Sequence, residues 1–308
     1  MKTIDFYGKR KIYFTISLLV ILVTFIFAFA FGVELDIQFK GGTIITYNYS
    51  GDIDLGTFES TMEDLTDSGL SVQEGVDVAT GVKNLKVSLV EAKGIDSVKQ
   101  VEILEKLNEA FPENDLNIYA VNSVDPTIGQ EFLLKSLVAV LLASVLMIVY
   151  VGIRFRTIGG WSAGIMSVVA LFHDVFVAFA AFVILGYPIN DNFIAVVLTI
   201  LGFSLNDTII IYDRVRENKR LYGTKLSFSE MVNLSITQSI SRSIATSFAA
   251  LMAMAVVAIM AVVFNVTSIV TFAVPMILGL ISGVYSTICI AGPLYVMWHN
   301  YREKQKRA

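Results

Sequence analysis

Six apolar runs, near residues 12–31, 132–153, 161–186, 192–212, 244–264 and 267–297, constrain this chain more than any other feature. Each is long enough to cross a hydrocarbon core of about 30 Å as a helix. In that solvent every backbone amide must be paired within the protein, which leaves helices as the spanning form for such runs. Composition agrees: 55% of the 308 residues are hydrophobic and only 16% are charged, where a soluble domain carries about a quarter. Ala28-Phe29-Ala30 resembles a signal-peptidase site. The first run is nevertheless longer than the ~7–15 apolar residues of a signal peptide, and more spans follow, so an uncleaved helix is expected. The last run contains Pro275, Gly279, Gly283 and Pro293 and is expected to tilt or kink.

The net charge of −4 hides a strong segregation. Nineteen of the 27 acids lie between Glu34 and Glu131, with only six of the 23 Lys and Arg. A basic nucleic-acid-binding surface is not indicated. Lys2, Lys9, Arg10 and Lys11 precede the first span, and Arg154 and Arg156 separate the second from the third. Arg214, Arg216, Lys219, Arg220, Lys225 and Arg242 lie between the fourth and fifth, and Arg302, Lys304, Lys306 and Arg307 follow the sixth. The opposite loops, around Gly186–Asp191 and Asn265–Thr267, carry neither Lys nor Arg. By the positive-inside rule both termini (1–11 and 299–308) are expected in the cytoplasm, and residues 32–131 outside it.

Residues 32–131 read as strand, helix, strand, strand, helix, strand. Thr43–Tyr49 is β-rich and follows Gly41-Gly42. Leu55, Phe58, Met62 and Leu65 recur at helical spacing. Ser71–Val78 and Leu85–Val90 alternate around a turn at Thr80-Gly81. Ile95, Val98, Val101, Ile103, Leu104 and Leu107 mark a second helix that stops near Pro112, and Leu116–Val121 is the last strand. This order predicts a ferredoxin-like α+β domain beside six transmembrane helices. Its acidic excess reads as a solvated face. Residues 132–298 hold spans two to six, with a loop over 213–243. In that loop Gly223-Thr224 is a turn, and Ser227–Ser239 could be a short interfacial helix, with Ser227 and Glu230 fitting a capping box.

The residues able to carry chemistry inside the spans are few. His173 and Asp174 lie in span three and Asp207, beside Asn206, in span four; Arg242 is at the mouth of span five. An acid at a helix centre costs about 2.5–3.5 kcal/mol on insertion scales. From the span boundaries His173 is roughly 18 Å deep, and Asp207 roughly 8 Å from the cytoplasmic end of its helix. Arg242 shares the level of Asp207, which would let the two approach. One reading is a proton pathway: burial disfavours an ionised carboxylate and a nearby arginine favours it, so moving the arginine moves the proton. The other is a structural network that holds helices together. His173-Asp174 is weak evidence for a metal site, since successive helix positions point ~100° apart. Cys289 is the only cysteine, so no disulfide framework is expected. No P-loop, zinc motif or catalytic-triad signature occurs, so neither a cofactor nor enzymatic activity is expected. The sequons at Asn48, Asn206, Asn233 and Asn265 carry little information. Gly279, Gly283, Ser282 and Ser286 form a small-residue face suited to close helix packing.

Several segments, in order, resemble the SecD/SecF family of protein-export membrane proteins, a branch of the resistance-nodulation-division superfamily. Leu35–Thr43 (LDIQFKGGT) resembles the family's hydrophobic–Asp–Phe–x–Gly–Gly segment, with Ile37 where Phe is usual. Val124–Glu131 (VDPTIGQE), Phe172–Val175 (FHDV), Leu234–Ser247 (LSITQSISRSIATS) and Val284–Leu294 (VYSTICIAGPL) resemble segments leading into or within spans two, three, five and six. Leu201–Asn218 (LGFSLNDTIIIYDRVREN) is the most specific match.

The resemblance implies an accessory to the SecYEG channel that pairs with SecD in the cell membrane. It would use the proton-motive force to promote movement of an unfolded polypeptide across the bilayer. It implies that Asp207 and Arg242 belong to a proton-translocating site completed by an acid of SecD. Asp213, Arg214 and Arg216 match a loop motif to which no role is attached. Two other functions stay open: half of a proton-driven lipid or small-molecule exporter, and a scaffold that only stabilises a translocase. No internal duplication is visible here, which argues against the exporter.

Overall fold

The structure, a computed structural model, describes residues 3–66, 70–76, 81–89, 96–223, 225–264 and 266–307. Expectations that fall on Lys2, residues 77–78, Thr80, Val90, Ile95, Thr224 and Asn265, or on the side chains of Ser71, Thr267 and Arg307, lie outside the described residues.

Helix α1 (Arg10–Phe31) leads into a short helix α2 (Ile37–Lys40) and then the α/β domain. The domain runs β1 (Gly42–Tyr49), α3 (Leu55–Thr66), β2 (Leu70–Val76), β3 (Lys83–Leu89), α4 (Ser97–Ala110) and β4 (Asn117–Val124). Its sheet has the order β2-β3-β1-β4, antiparallel throughout. That is the ferredoxin-like arrangement expected from two split βαβ units. Ile45, Tyr47, Leu85, Val87 and Leu89 face Phe58, Met62, Ile103 and Leu107 of the two helices, all buried. Period-2 strand positions and 3–4-spaced helix positions therefore meet in one core.

Five further helical stretches follow: α5 (Pro126–Arg154), α6 (Gly160–Ile184), α7 (Asp191–Tyr222), α8 (Phe228–Val263), and α9 (Thr267–Ser286) continued as α10 (Gly292–Arg307). With α1 they make six helices apolar and long enough to span a bilayer. The most apolar stretch of α6 is 61% buried, against 11% for α1 and 17% for α8. Helix α6 is thus the centre of the bundle, while α1 and α8 present most of their apolar surface outward.

Two differences from the sequence reading are informative. The expected loop 213–243 is mostly helix: α7 runs to Tyr222 and α8 starts at Phe228. A 32-residue helix is roughly 48 Å long, so it projects well past a ~30 Å core. Arg, Glu and Lys are good helix formers, so leaving the membrane does not end the helix. The segment read as a short interfacial helix is the start of α8, and Ser227 and Glu230 form a full capping box there. In the sixth span the break falls at a π-helical turn, Thr287–Ala291, directly before Pro293. Proline lacks an amide hydrogen and its ring clashes with the carbonyl four residues earlier; a π-turn widens the helix at that point. Pro275 lies inside α9 without ending it.

The domain is clipped to one end of the bundle. The Ile189 amide donates to the Glu34 carbonyl (2.8 Å) and the Asp36 amide to the Ile189 carbonyl (3.0 Å). Asp36 caps α2 through the Gln38 amide. Phe39 is buried beside Phe182 and Ile189 and stacks on Phe132. Gly41 has φ +80°, and a Cβ there would lie 2.5 Å from the Pro126 Cα. Gly41→Ala should therefore combine left-handed strain with a backbone clash. We expect faster proteolysis at the junction of domain and bundle in the full chain, with thermal unfolding at a lower temperature. Unchanged protease resistance would contradict this packing.

Candidate functional site

Buried positions Val196, Val197, Ile200, Leu201, Ser204, Asp207, Thr208, Ile211, Tyr212 and Val215 recur every three or four residues along α7. This inward stripe carries Asp207 into the bundle, 4% exposed. Its Oδ2 accepts from Ser247 Oγ at 3.0 Å, and its Oδ1 lies 3.5 Å from Thr246 Oγ1. The carboxylate sits at the back of a narrow crevice lined by Ser204, Ser247, Gly279 and Gly283. Asn206 points about 100° away around the helix and is exposed on the surface of the chain.

The structure does not bring Arg242 onto Asp207. Helix α8 passes the acid at Thr246 and Ser247, one turn farther along, so hydroxyls occupy the place where the guanidinium was expected. Among the described residues Arg242 makes no ion pair with Asp207. Its side chain is exposed and lines a separate cavity with Arg214, Arg216 and Arg220.

His173 and Asp174 lie in the interface of α6, α7 and α9, joined to the wall of this crevice through Ser204. Asp174 is fully buried. Ser282 and Ser286 each donate to it at 2.6 Å and Ser204 at 3.0 Å. His173 Nδ1 is 3.4 Å from both Asp174 Oδ1 and Ser282 Oγ, while its Nε2 is buried with no partner among the described residues. The His173 ring packs against Tyr285, whose hydroxyl donates to the Tyr13 carbonyl (2.7 Å). Ser204 also approaches Thr287 (3.5 Å), which contacts Thr208 (3.3 Å). Three hydroxyls thus serve one carboxylate and tie three helices together.

The glycines of α9 explain how this is possible. A Cβ at Gly279 would meet Ile200 Cδ1 at 2.0 Å, and one at Gly283 would meet Ser204 Cβ at 3.3 Å. The missing side chain at Gly279 makes room for Ile200, and Gly283 lets Ser204 lie close. The small face read as packing alone also carries donors, Ser282 and Ser286. Sequence alone assigns no role to Ser204, Thr246 and Ser247, because each bonds an acid on a different helix.

Asp213, Arg214 and Arg216 hold the continuation of α7 to its neighbours. Asp213 pairs with Arg216 (2.7 Å) and Arg154 (3.3 Å). Arg214 donates to Gln238 (2.7 Å) and pairs with Glu217 (2.5 Å). Asn218, fully buried, donates to Ser235 and Gln238 at 2.9 Å. Among the described residues no three His, Cys, Asp or Glu side chains converge as a metal site would require.

A family model described as "Protein export membrane protein SecD/SecF, C-terminal" matches residues 103–301. Over 307 residues the chain is 32% identical to the protein translocase subunit SecF of Calditerrivibrio nitroreducens, covering 98% of this chain and 96% of that protein. It is 31% identical over 306 residues to the protein translocase subunit SecDF of Bacillus subtilis, covering 99% of this chain and 39% of that longer protein. The crystal structure of SecDF, a translocon-associated membrane protein, from Thermus thermophilus aligns with a TM-score of 0.79 at 28% identity, covering 97% of this chain and 39% of that one. The chain therefore spans about two fifths of the SecDF chains it matches.

Proposed function

The chain belongs to the SecD/SecF family of protein-export membrane proteins and is an accessory subunit of the Sec translocase, and we propose that it contributes Asp207 to a proton site shared with a second membrane subunit. The observation that carries this is an acid sealed behind an exposed polar strip. Asn206 and Thr246 lie on the outer surface of α7 and α8, beside Asp207. Unpaired polar groups facing hydrocarbon cost several kcal/mol each, so such a strip fits a protein partner better than lipid tails. The low burial of α8 leaves the area such a partner needs.

The partner is a SecD chain. The longer SecDF relative, which carries a segment like this chain within one polypeptide, supports that choice. In the proposed cycle Asp207 is ionised while Ser247 and Thr246 donate to it. Taking up a proton turns one carboxylate oxygen from acceptor into donor, so one of the two contacts must be exchanged and the seam between α7 and α8 shifts. A proton crossing the full membrane potential supplies ~2.3 kcal/mol per 100 mV. The other end of α7 is clipped to the α/β domain: the Asp191 amide donates to Gln38 (3.3 Å), next to the Ile189 bonds. A shift of α7 is carried to the domain through these contacts. The domain, outside the cell by the distribution of Lys and Arg, then acts on a polypeptide emerging from SecYEG. Asp174 and His173 serve as the fixed reference that holds α6, α7 and α9 together.

Cysteine cross-linking tests the shared face. With a SecD carrying single cysteines along its membrane helices co-expressed, Asn206→Cys should cross-link to one of them through a short bismaleimide, and an outward-facing control on α5, Leu141→Cys, should not. Equal labelling at both positions, with no SecD adduct at 206, would remove the basis for a shared site.

A further inference from the structure

We propose that the basic cavity between α7 and α8 binds the phosphate headgroup of an anionic phospholipid. Among the described residues none of its arginines pairs with Asp207. The cavity measures about 560 Å³ and is lined by Arg214, Arg216, Arg220 and Arg242 together with Asp213 and Glu217. Two of the arginines are committed, Arg216 to Asp213 and Arg214 to Glu217. Arg220 and Arg242 form no ion pair among the described residues, and both are exposed. Four arginines against two acids leave two positive charges without a counter-charge. Guanidinium forks match phosphate oxygens in geometry as well as charge.

Position selects a lipid as the source of that phosphate. The lining runs from Ile210 to Leu221, roughly 17 Å along the axis of α7. It therefore straddles the level where the apolar run gives way to charge. Ile210 contributes apolar wall to the end of the cavity nearer the apolar run, and Ile244, two residues past Arg242 into the fifth span, remains exposed. A charged pocket between helices, with apolar surface beside it, suits a headgroup whose acyl chains stay in the bilayer. A free anion has no use for that surface.

The test uses the full chain in detergent and native mass spectrometry. The probes are a phosphatidylglycerol, a phosphatidylcholine of the same acyl chains, and inorganic phosphate. We expect phosphatidylglycerol to be retained over phosphatidylcholine. Arg220→Gln should weaken that retention by about fivefold, the effect of one surface charge near a membrane. Arg220→Lys should largely restore it. Lys225→Gln, the same charge change outside the cavity, should leave it unaltered, and inorganic phosphate at millimolar concentration should not displace the lipid. Equal retention of the two lipids, or equal loss in Arg220→Gln and Lys225→Gln, would overturn the site. Displacement by inorganic phosphate would overturn the lipid as its occupant. Protection of Arg220 by an acidic segment of a partner, with no lipid bound, would overturn it as well.

Discussion

Asp207→Asn is expected to abolish the proposed proton-dependent stimulation of protein export while the chain still accumulates and pairs with its partner subunit. Asparagine has nearly the same shape and keeps an oxygen to accept from Ser247, now 3.0 Å from the carboxylate. The crevice between α7, α8 and α9 therefore stays packed, in the form it takes when the acid is protonated. What disappears is the ability to gain and lose a proton, and with it any free energy drawn from the membrane potential. Export in the mutant should fall to the rate seen in wild-type cells whose proton gradient has been collapsed. Pulse-chase measurement of a secreted precursor reads this directly, with immunoblotting to show unchanged levels of the chain. Export at the full wild-type rate would remove Asp207 from the mechanism.

Asp174→Ala has the opposite signature: it destabilises the protein. Three hydroxyls on two different helices converge on this one carboxylate. Removing it leaves buried donors short of an acceptor, each costing about 1–3 kcal/mol. Ser286 can fall back on the Gly283 carbonyl at 3.2 Å, which relieves part of the cost. We expect a net loss of about 3 kcal/mol, read as a lower unfolding temperature for the detergent-solubilised chain. Asp174→Asn, which keeps an acceptor oxygen, should lose less. A mutant as stable as wild type but unable to support export would instead put Asp174 on the proton path. The two acids are thus separated by experiment: Asp207→Asn changes function at constant stability, and Asp174→Ala changes stability first.

The spans and the domain were legible because both rest on patterning. Phe58 and Met62 on a helix, and Thr43–Tyr49 as a strand, depend only on which faces meet a core. Helix ends were less legible where the cue was solubility: charge after Tyr212 marks the edge of the membrane, but α7 continues to Tyr222. The candidate site was legible as residue types and illegible as partners. Asp207 was conspicuous because an acid is expensive there. Its neighbours depend on the rotation and height of α8, and a shift of one turn exchanges Arg242 for Thr246 and Ser247. Asp174 shows the same limit from the other side. Ser282 and Ser286 looked like small residues for packing because nothing in α9 alone reveals an acid of α6 opposite them. The motif Leu35–Thr43 became interpretable only in three dimensions, with Asp36 as a cap, Phe39 as a plug and Gly41 against Pro126.

The central claim is that Asp207 is one side of a proton site completed by another subunit. Proton flux in vesicles containing this chain and SecD, under an imposed membrane potential and with a pH-sensitive dye inside, tests it most directly. The account predicts flux with both subunits present, none with either alone, and none with Asp207→Asn in the pair. Flux from this chain alone, or undiminished flux from the Asp207→Asn pair, would contradict it.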